Sequence, residues 1–281
     1  MTTCQMTSMS EGLTIEIRSQ ADLAGPDRLE AIGAALDADP RLKPERAGPR
    51  DPPRTPIASA TQHLASWRPA QQRGRRDDQF LGRSSPPEAT GILSLAHAPW
   101  PRTLSLTYDI ASLEDPDRLH AVAGLLQRLA EAMDAYYGFA ALNALLRQEA
   151  SLREADRRAG GTRAHLGSEP YFVSERGISD VYWLNYFGPA TVDKWTATSL
   201  DGLGVRQKTT ANDGRLIWAT ETPFVYDPTA TAMSAYAWKW PFYEALGLDT
   251  FVHEGWQDPG PGVRVPTFEE HRRAVRPTVQ E

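Results

Sequence analysis

Residues 102–133, RTLSLTYDIASLEDPDRLHAVAGLLQRLAEAM, change hydrophobic period partway along. Leu104, Leu106, Tyr108 and Ile110 alternate with polar neighbours, the two-residue period of a half-buried strand. From Leu119 onward the apolar residues fall at Val122, Leu126, Leu129, Met133 and Tyr136, spaced three and four apart along one face of a helix. A strand feeding an amphipathic helix is therefore the local unit. It has an earlier counterpart. GLTIEIR (12–18) alternates through Leu13, Ile15 and Ile17, and PDRLEAIGAAL (26–36) repeats the PDRL start of PDRLHAVAGLL (116–126) at an offset of 90. In both copies proline takes the first helical position, where its missing N–H costs nothing, and aspartate follows at the positive end of the helix dipole.

Working outward, Gly91 to His97 reads as a strand that pairs with 102–110 across the turn-like Ala98-Pro99-Trp100-Pro101. Between Pro40 and Pro87 nine prolines and a basic cluster at Arg73, Arg75 and Arg76 interrupt any period. That stretch is expected to be an irregular basic insertion, spanning about 40–90, with one short helix over Ser59–Trp67. Ala140 to Arg158 reads as helical, through Leu142, Leu145, Leu146 and Leu152, and Gly160-Gly161 marks a boundary.

Beyond it, DVYWLNYFGP (180–189) carries the densest β signal in the chain and stops at Gly188-Pro189. A helix over Ala190–Thr198, strands at Arg215–Ala219 and Pro223–Tyr226, and a final helix over Ala235–Leu246 are expected next. The sum is an α+β fold, an antiparallel sheet packed by helices, with two similar strand-helix-strand-strand-helix halves at 12–160 and 161–258. A flexible N-terminus (1–11) and an irregular tail (259–281) flank them.

With 41% hydrophobic residues and eight Trp, the 281 residues can build a real core. No segment approaches the ~20 apolar residues of a membrane span. Residues 1–12 lack the basic-then-apolar order of a signal peptide. The single cysteine, Cys4, forms no internal disulfide, so a reducing, cytoplasmic setting is expected. The formal net charge of −6 hides an asymmetry: residues 40–90 hold ten basic and five acidic groups, leaving −11 on the rest. So acidic a body argues against direct nucleic-acid binding.

No reaction is encoded in a recognisable way. The six histidines are scattered, and HExxH spacing is absent; His253, Glu254 and His271 are the residues a metal-dependent enzyme would have to use. A nucleophile elbow is missing, and Gly202-Leu203-Gly204 lacks the third glycine of a phosphate loop. Neither catalytic residues nor a cofactor are expected.

Val181-Tyr182-Trp183-Leu184-Asn185-Tyr186-Phe187-Gly188-Pro189 resembles the Tyr-Trp-x-Asn-Tyr-Phe-Gly-Pro signature of the immunity protein 52 family of bacterial polymorphic toxin systems. Asp39-Pro40-Arg41 after the first helix and Leu246-Gly247-Leu248-Asp249-Thr250-Phe251 near the end are similar to further family elements. The resemblance implies an antitoxin that binds and neutralises a cognate nuclease effector of a type VI secretion system, one with a restriction-endonuclease-like fold encoded by a neighbouring gene. An adaptor or chaperone for a secreted effector is the alternative.

The signature strand itself is expected in the core, with Trp183, Asn185 and Phe187 on one side and Tyr182, Leu184 and Tyr186 on the other. Asn185, in so apolar a run, should hydrogen-bond to a nearby loop. For contact with a basic nuclease the candidates are acidic residues beside an aromatic anchor: Glu244, Asp249, Glu254, Trp256 and Asp258.

Overall fold

The computed structural model describes residues 12–70, 77–96, 101–113, 115–148, 180–193, 202–224 and 237–246. Strands β1 (Gly12–Ser19), β2 (Arg46–Gly48), β3 (Thr55–Pro56), β4 (Asp77–Arg83), β5 (Ala89–Leu95), β6 (Arg102–Asp109), β7 (Ala135–Leu142), β8 (Leu184–Phe187), β9 (Arg206–Thr209) and β10 (Arg215–Trp218) form one sheet. Its order is β3, β2, β4, β5, β6, β1, β7, β8, β10, β9, and every pairing is antiparallel. The expected α+β class with an antiparallel sheet is what forms. Strands of both sequence halves join the same sheet, because β7 pairs directly with β8. The Gly160-Gly161 boundary, the N-terminus 1–11 and the tail 259–281 lie outside the described residues.

Helices α1 (Pro26–Asp37) and α3 (Pro116–Ala132) start where the PDRL repeat places them and pack against each other. Their apolar faces cover Leu13, Ile15 and Ile17 of β1, Leu104, Leu106 and Tyr108 of β6, and the adjoining face of β7; Leu126 of α3 lies over Gly138. Here the backbones approach closely. A Cβ on Gly33 of α1 would collide with the Thr61 backbone of α2 (Ala60–Ser66). Asp37 then caps α2, accepting hydrogen bonds from Ser59 Oγ (2.6 Å), Ala60 N (3.0 Å), Thr61 N (2.9 Å) and Thr61 Oγ1 (2.7 Å). Burial works against the Asp37 charge, yet those donors outweigh it and hold the carboxyl below the usual carboxylate range.

Two expectations fail for physical reasons. The helix of 116–133 does not run on through Tyr136, and Ala140 does not begin a helix. Asp134 takes a left-handed conformation (φ 50°), reverses the chain and launches β7; helical backbone resumes only at 143–148. β7, AYYGFAAL, is buried on both faces, so it shows no apolar–polar alternation by which a strand is read.

The basic segment 40–90 is not irregular throughout. The short helix appears as α2, and the segment also supplies β2, β3 and β4, which extend the sheet beyond β5. Prolines at 52, 53 and 56 hide these short edge strands, since proline is tolerated at an edge but reads as a breaker. β9, a polar RQKT, carries no strand signal for the opposite reason: it has no buried side chain. Residues 221–224 carry no strand, and the remainder of the one expected at 223–226 lies outside the described residues.

The sheet's second face divides in two. Beneath β7, β8 and β10, Tyr137, Phe139, Asn185, Phe187 and Ile217 are all buried. Beneath β4, β5 and β6, Phe80, Thr90, Ile92, Thr103, Ser105 and Thr107 are half-buried or exposed.

Candidate partner-binding site

Residues 180–188 lie in the core, not at the surface. β8 is the inner strand between β7 and β10, and Tyr182, Trp183, Asn185, Tyr186 and Phe187 are each at most 4% exposed. Side chains alternate within β8 as expected, Leu184 and Tyr186 towards the helices and Asn185 and Phe187 away from them. The alternation does not extend to Tyr182. The chain bends at Trp183, so the Tyr182 ring stacks on Phe139 (centroids 4.3 Å apart) on the side of Asn185.

Asn185 fixes that bend: its Oδ1 accepts from Tyr182 N (2.9 Å) and its Nδ2 donates to Tyr182 O (2.7 Å). The amide expected to bond to a nearby loop thus satisfies both backbone groups of a residue three positions earlier. Tyr186 Oη meets Asn212 in the β9–β10 turn at 2.9–3.0 Å, and burial pushes its phenol upward. Gly188 donates its N–H to Tyr136 O (3.0 Å) and lies so close to Ala135 O that a Cβ has no room. Pro189 then opens α4 (Pro189–Val192), shorter than the helix expected over 190–198; residues 194–198 lie outside the described residues. Each position of the motif answers a packing demand: stacking, bend, strand, close approach, helix start.

A buried ion pair anchors this segment. Asp180 Oδ2 accepts from Lys239 Nζ at 2.7 Å with both side chains fully enclosed. Asp180 Oδ1 also takes Val181 N (2.7 Å), and its carbonyl takes Tyr137 Oη (2.6 Å). Lys239 Nζ lies 4.6 Å from the Tyr182 ring centroid and 5.4 Å from that of Trp238. The pair fastens the 3-10 turn Ala237–Lys239, and behind it helix α5 (Trp240–Leu246) with buried Phe242 and Leu246, onto the second face of the sheet. Sequence reading missed it because the partners are 59 residues apart.

A second charged cluster closes the same face. Arg18 is buried beside Glu16 (2.6 Å) and 5.8 Å from the Tyr137 ring centroid. Burial opposes the Arg18 charge, but Glu16, together with Tyr136 and Tyr137, more than compensates and raises its pKa. Desolvation also pushes the neighbouring Tyr136 up to about 12.

Of the residues expected to contact a partner, Glu244 lies in α5, and Asp249, Glu254, Trp256 and Asp258 lie outside the described residues, as do His253 and His271. Among the described residues no group of His, Cys, Asp or Glu could hold a metal ion. A cleft of about 140 Å³ sits where β4, β5 and β6 meet the 22–24 loop, lined by Asp22, Leu23, Asp77, Leu95 and Arg102. No described helix is long and apolar enough to cross a membrane.

These features define an α+β protein organised on one ten-stranded antiparallel sheet, with an aromatic, charge-locked second layer under one half. A solved structure shares that architecture: the Pseudomonas aeruginosa T6SS protein PA0821 aligns over 93% of this chain and 80% of its own, with a TM-score of 0.58 and 13% sequence identity. At that identity the likeness is one of fold. No protein-family model matches the chain, so the similarity of 181–189 to the immunity protein 52 signature stays a likeness of motif. No curated protein matches it in sequence.

Proposed function

We propose that this chain is an immunity protein of a type VI secretion system: it binds a cognate nuclease toxin in the cytoplasm and neutralises it without turnover. The observation that carries this reading is the fold shared with a T6SS protein over nearly the whole chain. The Tyr-Trp-x-Asn-Tyr-Phe-Gly-Pro motif at 182–189 supports it independently. Charge is consistent with it, because a protein of net charge −6 complements a basic nuclease and speeds their encounter.

The test is DNA degradation by the purified toxin encoded beside this gene, with this protein titrated from zero to molar excess. Activity should vanish near one-to-one stoichiometry. Full nuclease activity in a demonstrably formed complex would replace the neutralisation reading with that of an adaptor. Absence of any complex would overturn both.

A further inference from the structure

The basic segment 40–90 acquires a definite place in the fold, where its strands build one end of the sheet. Its cations are not equivalent there. Arg41 is held by Asp39 (2.7 Å) and Arg83 by Glu45 (3.3 Å), so each is answered by an acid close to it. Arg46, Arg50 and Arg54 differ: all three are exposed, and none has a hydrogen bond or ion pair among the described residues. They fall within one hairpin, β2–β3 (46–56), where three arginines against the single acid Asp51 leave a formal charge of +2.

This hairpin is a rigid mount. Pro49, Pro52, Pro53 and Pro56 fix four of its φ angles. Glu45 N donates to Gly82 O (2.8 Å) and Ile57 N to Glu45 O (2.9 Å), which ties the hairpin's base to β4. Pro53 is buried against Gly82, where an added Cβ would meet its ring at 2.9 Å. Arg46 lies opposite Gly82, and Gly82 opposite the exposed Thr90, so the hairpin continues into the open half of the second face. A backbone already fixed loses little freedom when its side chains engage a partner.

The charge of the remaining chain selects the partner's chemistry. A guanidinium is a planar fork of N–H donors that fits a carboxylate or a phosphate through two parallel bonds. Outside 40–90 the chain carries −11, so a uniformly anionic polymer such as nucleic acid is repelled by most of the surface. A basic protein with a local cluster of carboxylates matches both poles at once.

We propose that the β2–β3 hairpin docks on an acidic patch of the partner protein, with Arg46, Arg50 and Arg54 paired to its carboxylates. This rests on the neutralisation reading only for the identity of the partner, the toxin.

The experiment measures toxin binding by the unaltered chain, by the triple variant Arg46→Glu, Arg50→Glu, Arg54→Glu, and by Arg28→Glu, which alters an exposed arginine of α1. Attraction by net charge alone makes a more negative chain bind a basic toxin more tightly; the hairpin requires the reverse. Affinity should fall about a hundredfold in the triple variant, with its thermal unfolding unchanged, and should not fall for Arg28→Glu. Replacing the same three arginines by lysine keeps the charge and removes the fork, so affinity should fall only about tenfold. Carbodiimide, which joins amines to carboxylates, should then link that lysine variant to the toxin through position 46, 50 or 54. Unchanged or tighter binding by the glutamate variant, or an equal loss in Arg28→Glu, overturns the hairpin and leaves neutralisation standing. Duplex DNA bound by the unaltered chain and released by the glutamate variant overturns it in favour of phosphate recognition. If the unaltered chain does not bind the toxin, both proposals fall together.

Discussion

The two halves of the second sheet face obey different rules although they share strands and backbone geometry. Under β7, β8 and β10 the face is a closed aromatic layer: Tyr137 and Phe187 stack at 5.9 Å, Phe139 meets Tyr182, and buried charges such as Asp180 with Lys239 and Glu16 with Arg18 are locked in pairs. Under β4, β5 and β6 it is a field of Thr, Ser and Ile residues most of which keep contact with solvent, Ser94 being buried. The difference teaches where this fold tolerates change. A closed layer makes each residue depend on its neighbours, because interiors pack at crystal-like density; an open one leaves substitutions local.

The contrast can be broken most severely at Gly188. Gly188→Val drives a side chain into the Ala135–Tyr136 backbone and should abolish the cooperative unfolding transition seen by circular dichroism. Next in size is Lys239→Met, which strands Asp180 without its cation in a fully buried site. It should cost about 3–5 kcal/mol in denaturant unfolding, and adding Asp180→Asn should recover part of that loss. Phe187→Ala, also in the closed layer, should cost about 3–5 kcal/mol.

Away from both layers, Asp37 provides a smaller, pH-readable effect. Asp37→Ala should cost about 1–2 kcal/mol at neutral pH through loss of the α2 cap. Because the folded carboxyl lies below its ordinary value, its contribution is complete above about pH 4 and lost as pH falls through the depressed folded value. The stability of the Asp37→Asn variant should therefore decline less steeply under acid than that of the unaltered chain. Smallest of all, Ile92→Thr in the open half should shift stability by under about 1 kcal/mol; a loss as large as that of Phe187→Ala would erase the distinction between the halves.

What the sequence discloses follows the same division. β6 and the two PDRL helices are buried on one side, and one-sided burial writes itself as a period, while β1 alternates because polar Thr14, Glu16 and Arg18 occupy its second face; both helices begin where the prolines place them. β7 has no such signature, being buried on both sides, and only its two ends, to Tyr136 and from Ala140, read as helical. Short edge strands are too brief or too proline-rich to be seen. The motif at 181–189 was legible as core, and Asn185 as a bonded amide, but the bend that flips Tyr182 arises from a side-chain-to-backbone pair that no period encodes. Long-range partners such as Asp180 and Lys239 leave no trace at all. The acidic candidates at 244–258 rest on charge and aromatic composition.

β1 occupies the middle of the sheet although it lies almost at the start of the chain. Gly12 pairs with Asp109 on one side, and Leu13 with Leu142 on the other. During synthesis, at ~5–20 residues per second, the strand leaves the ribosome roughly 5–20 seconds before its first partner exists. Leu13, Ile15 and Ile17 spend that interval without a mate, so the nascent chain is most exposed to misassociation at the strand on which the finished molecule depends most. Fusions or leaders that slow elongation through 19–109 should lower the yield of native protein more than equal delays placed after residue 142.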